Sequence, residues 1–394
     1  MKLVGIDVGK NSHHFCVMDK ETGEFNVTPT SFSNNKEGFD FLINSLKPYS
    51  KKSILIGMED TGHYHVALLK FLLSNGYTVA LINPKTTDLT RKMEGGITKN
   101  DKLDTITICD VLDTPERKKQ YRITKVDRFD LYEQRQLTRH HHNLKEELNV
   151  YCNRLQKSID LVFPEFNTLF SSKYSIVYMN LLKTFGSAEA IASTDIRTIR
   201  KCFEIKGRGN RISLTPEKLK ECAKNSIGIS SEVETIQIKH LVSQITLIKE
   251  QIAEIDKKIE EFSITNNSPI LSIPGISHFS GTSILAKLGD IGNYSKPSQI
   301  IKFAGVAPYH YESSQYNAQH TAITKKESKY LRKTLYQIIL TVINNNPVFK
   351  KYYLLKISQG KGHRCAQGHC IRKLLRIIYH LLETGQSFDP ALLR

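Results

Sequence analysis

The feature that most constrains this chain is a set of acids placed inside or at the ends of short apolar runs between Met1 and Leu112. The chain opens with Lys2-Leu-Val-Gly-Ile-Asp7-Val-Gly9, passes through Lys10-Asn11-Ser12 and continues in a second apolar run, Phe15-Cys-Val-Met18. This is the pattern of a β-hairpin with an acid in its first strand. Aspartate is a poor strand former, so its position there asks for a function. Ser53-Ile-Leu-Ile-Gly-Met58 is a further run, ending in Glu59-Asp60-Thr61-Gly62, and helical spacing follows in Val66, Leu68, Leu69, Phe71 and Leu72. Tyr77-Thr-Val-Ala-Leu-Ile82 then stops at Asn83-Pro84, and the stretch Lys99-Asn-Asp101-Lys-Leu-Asp104 to Asp110 predicts a helix beginning near Asn100. Asp101 and Asp104 are spaced to share one face of that helix.

Carboxylates gathered at the ends of neighbouring strands repel one another unless a cation lies between them, and hard divalent ions prefer oxygen ligands. A pair of such ions can activate an attacking oxygen and stabilise a leaving one in phosphoryl transfer. Asp7, Glu59, Asp101 and Asp104 are therefore the candidate metal ligands and catalytic carboxylates, with Mg2+ as the expected cofactor and Mn2+ as its substitute. Each has a structural alternative. Asp7 could be a turn residue beside glycine, Asp101 and Asp104 could favour a helix N-terminus, and Glu59 could be a strand-end charge with Asp60 as a competing ligand. The order of the set, strand acid, strand-end acid, then helix with paired acids, favours the metal site.

The chain has 394 residues, enough for two or three domains. Its formal charge of +17 points to a polyanionic partner, nucleic acid ahead of membrane. No apolar run reaches the roughly 18 residues of a membrane span, and the start holds charged strand-like runs where a signal peptide would be apolar. The 7 cysteines are scattered without a C-x-x-C pair, which argues for reduced thiols in a cytosol. The tightest metal-like cluster, His363, Cys365, His369 and Cys370, matches no standard zinc spacing. The runs His13-His14 and His140-His141-His142 read as solvated faces or phosphate contacts.

Along the chain, residues 1–115 form an alternating β/α domain, followed by a polar, basic linker between Asp113 and Lys125. A long helix is predicted from about Asp127 to Phe163, where Pro164 stops it. An irregular insert covers about 165–230. A second long helix carries Ile238, Leu241, Ile245, Ile248, Ile252, Ile255, Ile259 and Phe262, the spacing of a coiled-coil seam. Its partner is either the first long helix, in a hairpin with the insert at its tip, or another subunit. Residues 116–265 thus make a helical middle, and 266–394 a mainly helical last domain. That domain opens with Ile270-Leu-Ser-Ile-Pro274-Gly275-Ile276, a turn of helix-hairpin-helix form that could aim backbone N–H groups at phosphate.

The segments Gly5-Ile-Asp7-Val-Gly9-Lys10, Met58-Glu59-Asp-Thr-Gly62-His63-Tyr64, Ile82-Asn-Pro84 and Lys99-Asn-Asp101-Lys-Leu-Asp104 together resemble the RuvC-like branch of the ribonuclease H fold, and specifically the DEDD transposases, the bridge-RNA-guided insertion-sequence recombinases that include invertase relatives. Ser272-Ile-Pro-Gly275, Gly305-Val-Ala-Pro308, Glu312-Ser313, Ile323-Thr-Lys325, Tyr330-Leu-Arg332 and Arg372-Lys-Leu-Leu375 resemble the transposase domain that follows in that family. The resemblance implies an RNase H-like α/β domain, long helices and a helical C-terminal domain. It also implies a DNA recombinase working through a phosphoserine link. The family's nucleophile falls on Ser313, with Ser314 standing where glycine is usual. Lys325, Lys326, Lys329, Arg332 and Lys333 supply cations nearby, and no general base is evident in the surrounding sequence. Implied partners are donor and target DNA, a non-coding bridge RNA and further copies of the chain in a dimer or tetramer, with a composite site joining the two end domains. The implied location is the cytosol, at the nucleoid. Two rival readings are a metal-dependent junction nuclease, which needs only the four carboxylates, and a sugar-kinase-like protein using Gly5-Ile-Asp-Val-Gly9 as a phosphate loop.

Overall fold

The structure, a computed structural model, describes residues 1–60, 62–93, 100–113, 123–126, 129–204, 213–309, 312–313, 316–317, 322–325 and 328–392. The N-terminal part contains β1 (Lys2–Val8), β2 (Ser12–Asp19), β3 (Phe25–Ser33), α1 (Lys36–Leu46), β4 (Ile54–Glu59), α2 (His65–Ser74), β5 (Val79–Ile82), α3 (Pro84–Met93), α4 (Asp101–Asp113) and β6 (Ile123–Val126). The strands form one sheet in the order β3-β2-β1-β4-β5-β6. β1, β4 and β5 run parallel, while β2, β3 and β6 pair antiparallel to their neighbours. This is the RNase H-like arrangement that the sequence resemblance implies. Ile123 to Lys125 lie at the end of the stretch read as a linker, with Val126 just beyond it. The short run Ile123-Thr-Lys-Val126 instead extends the sheet, because the outer edge of β5 offers unpaired backbone groups to it.

Strand alternation sends Val4, Ile6, Phe15, Val17, Ile56 and Met58 to a core shared with Leu42 and Leu46 of α1 and Leu68 and Leu72 of α2. The opposite face holds Leu3, Cys16, Met18, Ala80 and Ile82 and is covered by Ile108, Cys109, Val111 and Leu112 of α4. The helix lies close because the sheet beneath it is bare. Gly5 and Gly57 are register partners on β1 and β4. A Cβ on Gly5 would sit 2.0 Å from the Thr105 carbonyl oxygen, and one on Gly57 would sit 2.8 Å from the Leu112 side chain.

The middle of the chain begins with α5 (Asp130–Val162) and ends with α10 (Glu232–Asn266), of 33 and 35 residues. The two helices pack against each other in the same chain, where Ile248, Ile252, Ile255 and Ile259 bury against Leu144 and its neighbours Leu137, Leu148 and Tyr151. Between them lie α6 (Ile176–Thr184), α7 (Ala188–Ser193), α8 (Ile196–Lys201) and α9 (Pro216–Lys224). These short helices form a core of their own around Phe163, Phe166, Tyr178, Leu181 and Leu219 that also takes in Ile238, Val242 and Ile245 of α10.

The last part contains α11 (His278–Leu288), α12 (Pro297–Phe303), the two-residue strands β7 (Glu312–Ser313) and β8 (Tyr316–Asn317), α13 (Lys329–Asn345), α14 (Pro347–Ser358) and α15 (His363–Thr384). Its core joins Ile270, Ile284, Ile300, Leu335, Phe349, Leu374 and Ile378. The Pro274-Gly275 turn connects a single 3-10 turn, Pro269–Ser272, to α11. Gly275 has φ +98°, and a Cβ there would lie 2.8 Å from the Val342 backbone nitrogen, so the glycine serves the packing of this turn on α13. The first turn of α11 is closed by a Ser277–Ser280 capping box.

Several histidines differ from the sequence expectation. His13 is buried between Phe32 and Phe39. His141 and His142 are buried against Phe279, and His141 Nε2 lies 3.2 Å from Asp256 across the hairpin. Their apolar ring faces pack at element junctions, which outweighs the polar edge. His363 is occupied by Tyr353 and Gln367, and among the described residues His363, Cys365, His369 and Cys370 do not converge as a metal site. No helix of the described residues is long and apolar enough to cross a membrane.

Replacing Gly5 with alanine forces α4 away from the sheet. The expected loss of stability is about 2 kcal/mol, read as a lowered urea midpoint with unchanged slope.

Candidate metal centre and serine segment

Register alone places three functional side chains in one row. Asp7 pairs with His14, and Gly5 with Cys16 and Gly57, so Asp7, His14 and Glu59 fall on the α4 side of the sheet at the C-terminal ends of β1 and β4. α4 begins above that row and contributes Asp101 and Asp104 in its first turn. Asn100 helps to start the helix, its side-chain oxygen accepting from the Lys102 N–H at 3.0 Å. The four predicted carboxylates are thus brought together, and their mutual effect is visible at Asp7. Its carboxyl is pushed up to about 6, first by burial and then by the negative charges of Asp104, Asp101 and Glu59.

The set is held by neighbours that the sequence did not announce. Glu59 accepts a hydrogen bond from the Thr87 hydroxyl on α3. Arg91, one turn further along α3, donates from Nη1 to Asp104 at 3.0 Å and lies 3.5 Å from Asp88. His14 Nδ1 is 3.8 Å from Asp101, and ligand atoms of Asp7, His14 and Asp101 all lie within 4.8 Å of one another. Oxygen donors with a single imidazole, gathered around a buried carboxyl, fit a hard divalent cation such as Mg2+ or Mn2+. His14 could have been found by counting across the hairpin turn, which pairs it with Asp7. Nothing in the local pattern singles out Arg91.

Asp60, considered beside Glu59 as a ligand, sits elsewhere. Its carboxylate is 3.7 Å from the buried His65 ring and faces Arg135 and Lys287 across a cleft.

Ser313 belongs to the C-terminal domain. Gly305 to Tyr309 and Ala322 to Lys325 form an antiparallel ribbon through Tyr309 N–H to Ala322 O, Thr324 N–H to Ala307 O and Lys325 N–H to Gly305 O. Beyond it, Glu312 pairs with Asn317 and Ser313 with Tyr316. Ser314 and Lys326 lie outside the described residues. At the base of the ribbon Arg372 donates to the Val306 carbonyl at 3.4 Å, and the charges of Arg372, Arg364 and Arg332 all act on the Tyr336 phenol. Arg332 Nη1 is buried without a hydrogen-bond partner. Arg372 thus ties the ribbon to a group of three arginines around Tyr336, a charge arrangement that suits a phosphate.

Two family models match the chain. Residues 4–164 match the model for the DEDD transposases of the IS110 type, described as Transposase. Residues 267–354 match the Transposase IS116/IS110/IS902 family. Curated relatives include the pilin gene-inverting protein of Moraxella lacunata, 23% identical over 98% of this chain and 97% of that protein. The insertion element IS900 42 kDa protein of Mycobacterium paratuberculosis is 26% identical over 43% of each chain. With the acid-bearing domain and the serine-bearing domain each matching the same group of proteins, the chain belongs to the IS110-type DEDD transposase family and is an enzyme that acts on DNA.

Proposed function

We propose that this transposase cuts and rejoins DNA strands through a covalent phosphoserine link, with Ser313 as nucleophile and Asp7, Glu59, Asp101 and Asp104 as the ligands of Mg2+ or Mn2+. The gathering of four carboxylates against their own repulsion supports the metal half of this reading. The family resemblance around the ribbon and the arginines at its base support the serine half. In the first step the Ser313 Oγ–phosphorus bond forms as the phosphorus–oxygen bond to the next nucleotide breaks, and the released strand end leaves as a hydroxyl. In the second, a strand hydroxyl attacks the phosphoserine, restoring the serine and a phosphodiester. A bound divalent ion supplies positive charge for the phosphoryl oxygens. The group of Arg332, Arg364 and Arg372 orients the phosphate, and His14 completes the ligand set beside Asp7.

The acids come from one end domain and the serine from the other, so the working site is composite, within a subunit or across a dimer or tetramer. Donor and target DNA are the substrates. A structured non-coding RNA selects them by base pairing, which relieves the protein of reading bases. The protein works in the cytosol at the nucleoid. A junction nuclease acting by hydrolysis is the second reading, favoured because all four carboxylates lie in the N-terminal domain.

Ser313→Ala is expected to form no SDS-stable protein–DNA adduct and to lower strand exchange by on the order of 10^3-fold or more. An adduct at the wild-type level would refute the nucleophile, and a wild type that cleaves without any adduct would establish the nuclease. RNA extracted from the purified protein should be one defined structured species, whereas a random mixture would remove the guide.

The raised carboxyl of Asp7 also sets a pH dependence. Its unfolded value is about 3.9 and its folded value about 6, so the folded state binds the proton more tightly. Stability of the metal-free protein then falls as pH rises from about 4 through about 6. Mn2+ should raise the melting temperature at pH 8 and lose this effect below about pH 6, as protons displace it. Asp7→Asn should melt higher than the metal-free wild type at pH 8 and gain nothing from Mn2+.

A further inference from the structure

A cleft of about 450 Å3 lies between the N-terminal sheet and the C-terminal domain, and four of its five charged lining residues are cations. Asp60 follows β4 on one wall. Arg135 and Arg139, a turn apart on one face of α5, form the floor. Lys287 from the last turn of α11 and Lys329 and Tyr330 from the first turn of α13 form the other wall. Lys287 is only 8% exposed. Its ammonium, the Arg139 guanidinium and the Lys329 ammonium lie 5.0, 5.7 and 5.1 Å from the centre of the same Tyr330 ring. Arg135 donates to the Ala286 carbonyl at 3.2 Å, and Arg139 Nε is buried with no hydrogen-bond partner.

Among the described residues that line the cleft, four cations thus face one carboxylate, Asp60. Burial, followed by the charges of Arg139 and Arg135, pushes the Lys287 ammonium down to about 7. One aromatic ring offsets only a small part of the cost of holding so many cations out of water. An anion with several acceptor oxygens would satisfy them together. The cleft has room for more than a small ion, and its walls come from both end domains that act on DNA.

We propose that this cleft is a second phosphate site, outside the carboxylate centre, which grips a phosphodiester of the DNA strand and ties the two end domains to it. The proposal rests on the reading of this enzyme as one that holds DNA. Arg139 and Lys287 make the buried contacts, Lys329 the outer one, and Asp60 keeps Arg135 in place when the strand is absent.

The test uses the full-length protein with Mn2+, a labelled DNA junction, an RNA oligonucleotide and inorganic phosphate as separate probes. Lys287→Met and Arg139→Met should each weaken DNA binding by about tenfold and lower the salt slope of log affinity by about one, while Mn2+ still raises the melting temperature as in wild type. Lys329→Ala, at an exposed position, should give a smaller loss in the same direction. Without DNA, Lys287→Met should melt higher than wild type, because an unpaired buried charge has gone. Inorganic phosphate should raise the wild-type melting temperature and leave that of Lys287→Met unchanged. DNA binding and salt slope equal to wild type in folded variants overturn the site. Weakened RNA binding with DNA binding intact overturns the choice of strand. A lower melting temperature for Lys287→Met with no loss of DNA affinity makes the lysine structural. A wild type that binds no DNA at all overturns the functional reading along with this one.

Discussion

The seat of α4 on the sheet is the contact on which the rest depends. Four carboxylates repel, and nothing in their own chemistry brings them together. They are gathered because Gly5 and Gly57 leave a bare lane across β1 and β4, into which Thr105, Ile108 and Leu112 settle. Burial of the apolar side of α4, beside Leu3, Cys16 and Ile82, supplies the free energy that offsets the crowding at its N-terminal end. The raised carboxyl of Asp7 reflects its burial first and the crowding of Asp104, Asp101 and Glu59 second. Arg91 and Thr87, both from α3, moderate it by holding Asp104 and Glu59.

The other half of the molecule solves a different problem. There a ribbon of Gly305 to Tyr309 with Ala322 to Lys325 is tied at Val306 to Arg372, whose charge acts on the Tyr336 phenol together with those of Arg364 and Arg332, and the proposed nucleophile Ser313 follows it in the chain. Between the two halves stand α5 and α10, whose paired apolar seams make a stiff strut with a separately cored helical insert. The base of α5 does more than support. Arg135 and Arg139 line the cleft between the end domains together with Lys287 and Lys329, and among its described lining residues Asp60 is the one carboxylate.

Much of the acid site was legible because strands have a period of two and helices one of about 3.6. Asp7 inside an apolar run, Glu59 at the end of another and Asp101 with Asp104 on one turn are local patterns, and each kept its expected element. His14 was within reach of the same logic, since the hairpin turn dictates its pairing with Asp7. Arg91 and Thr87 were not, because their roles depend on where α3 crosses the strand ends. Polarity alone does not foretell the burial of His13, His141 and His142, whose environment is set by Phe32, Phe39 and Phe279, distant from them in sequence or across a strand pair.

What the sequence by itself determined was the kind and order of parts: an acid-punctuated β/α domain, two long helices with apolar seams and a basic helical domain, each written in short-range periodicity. Only the tertiary structure decided that α10 takes α5 of the same chain as its partner, that Ile123 to Val126 joins the sheet, and that Asp60 turns from the carboxylate centre toward Arg135 and Lys287. These outcomes depend on which surfaces meet, and the free energy of such meetings is a sum over residues far apart in the chain, where no local pattern carries a signal.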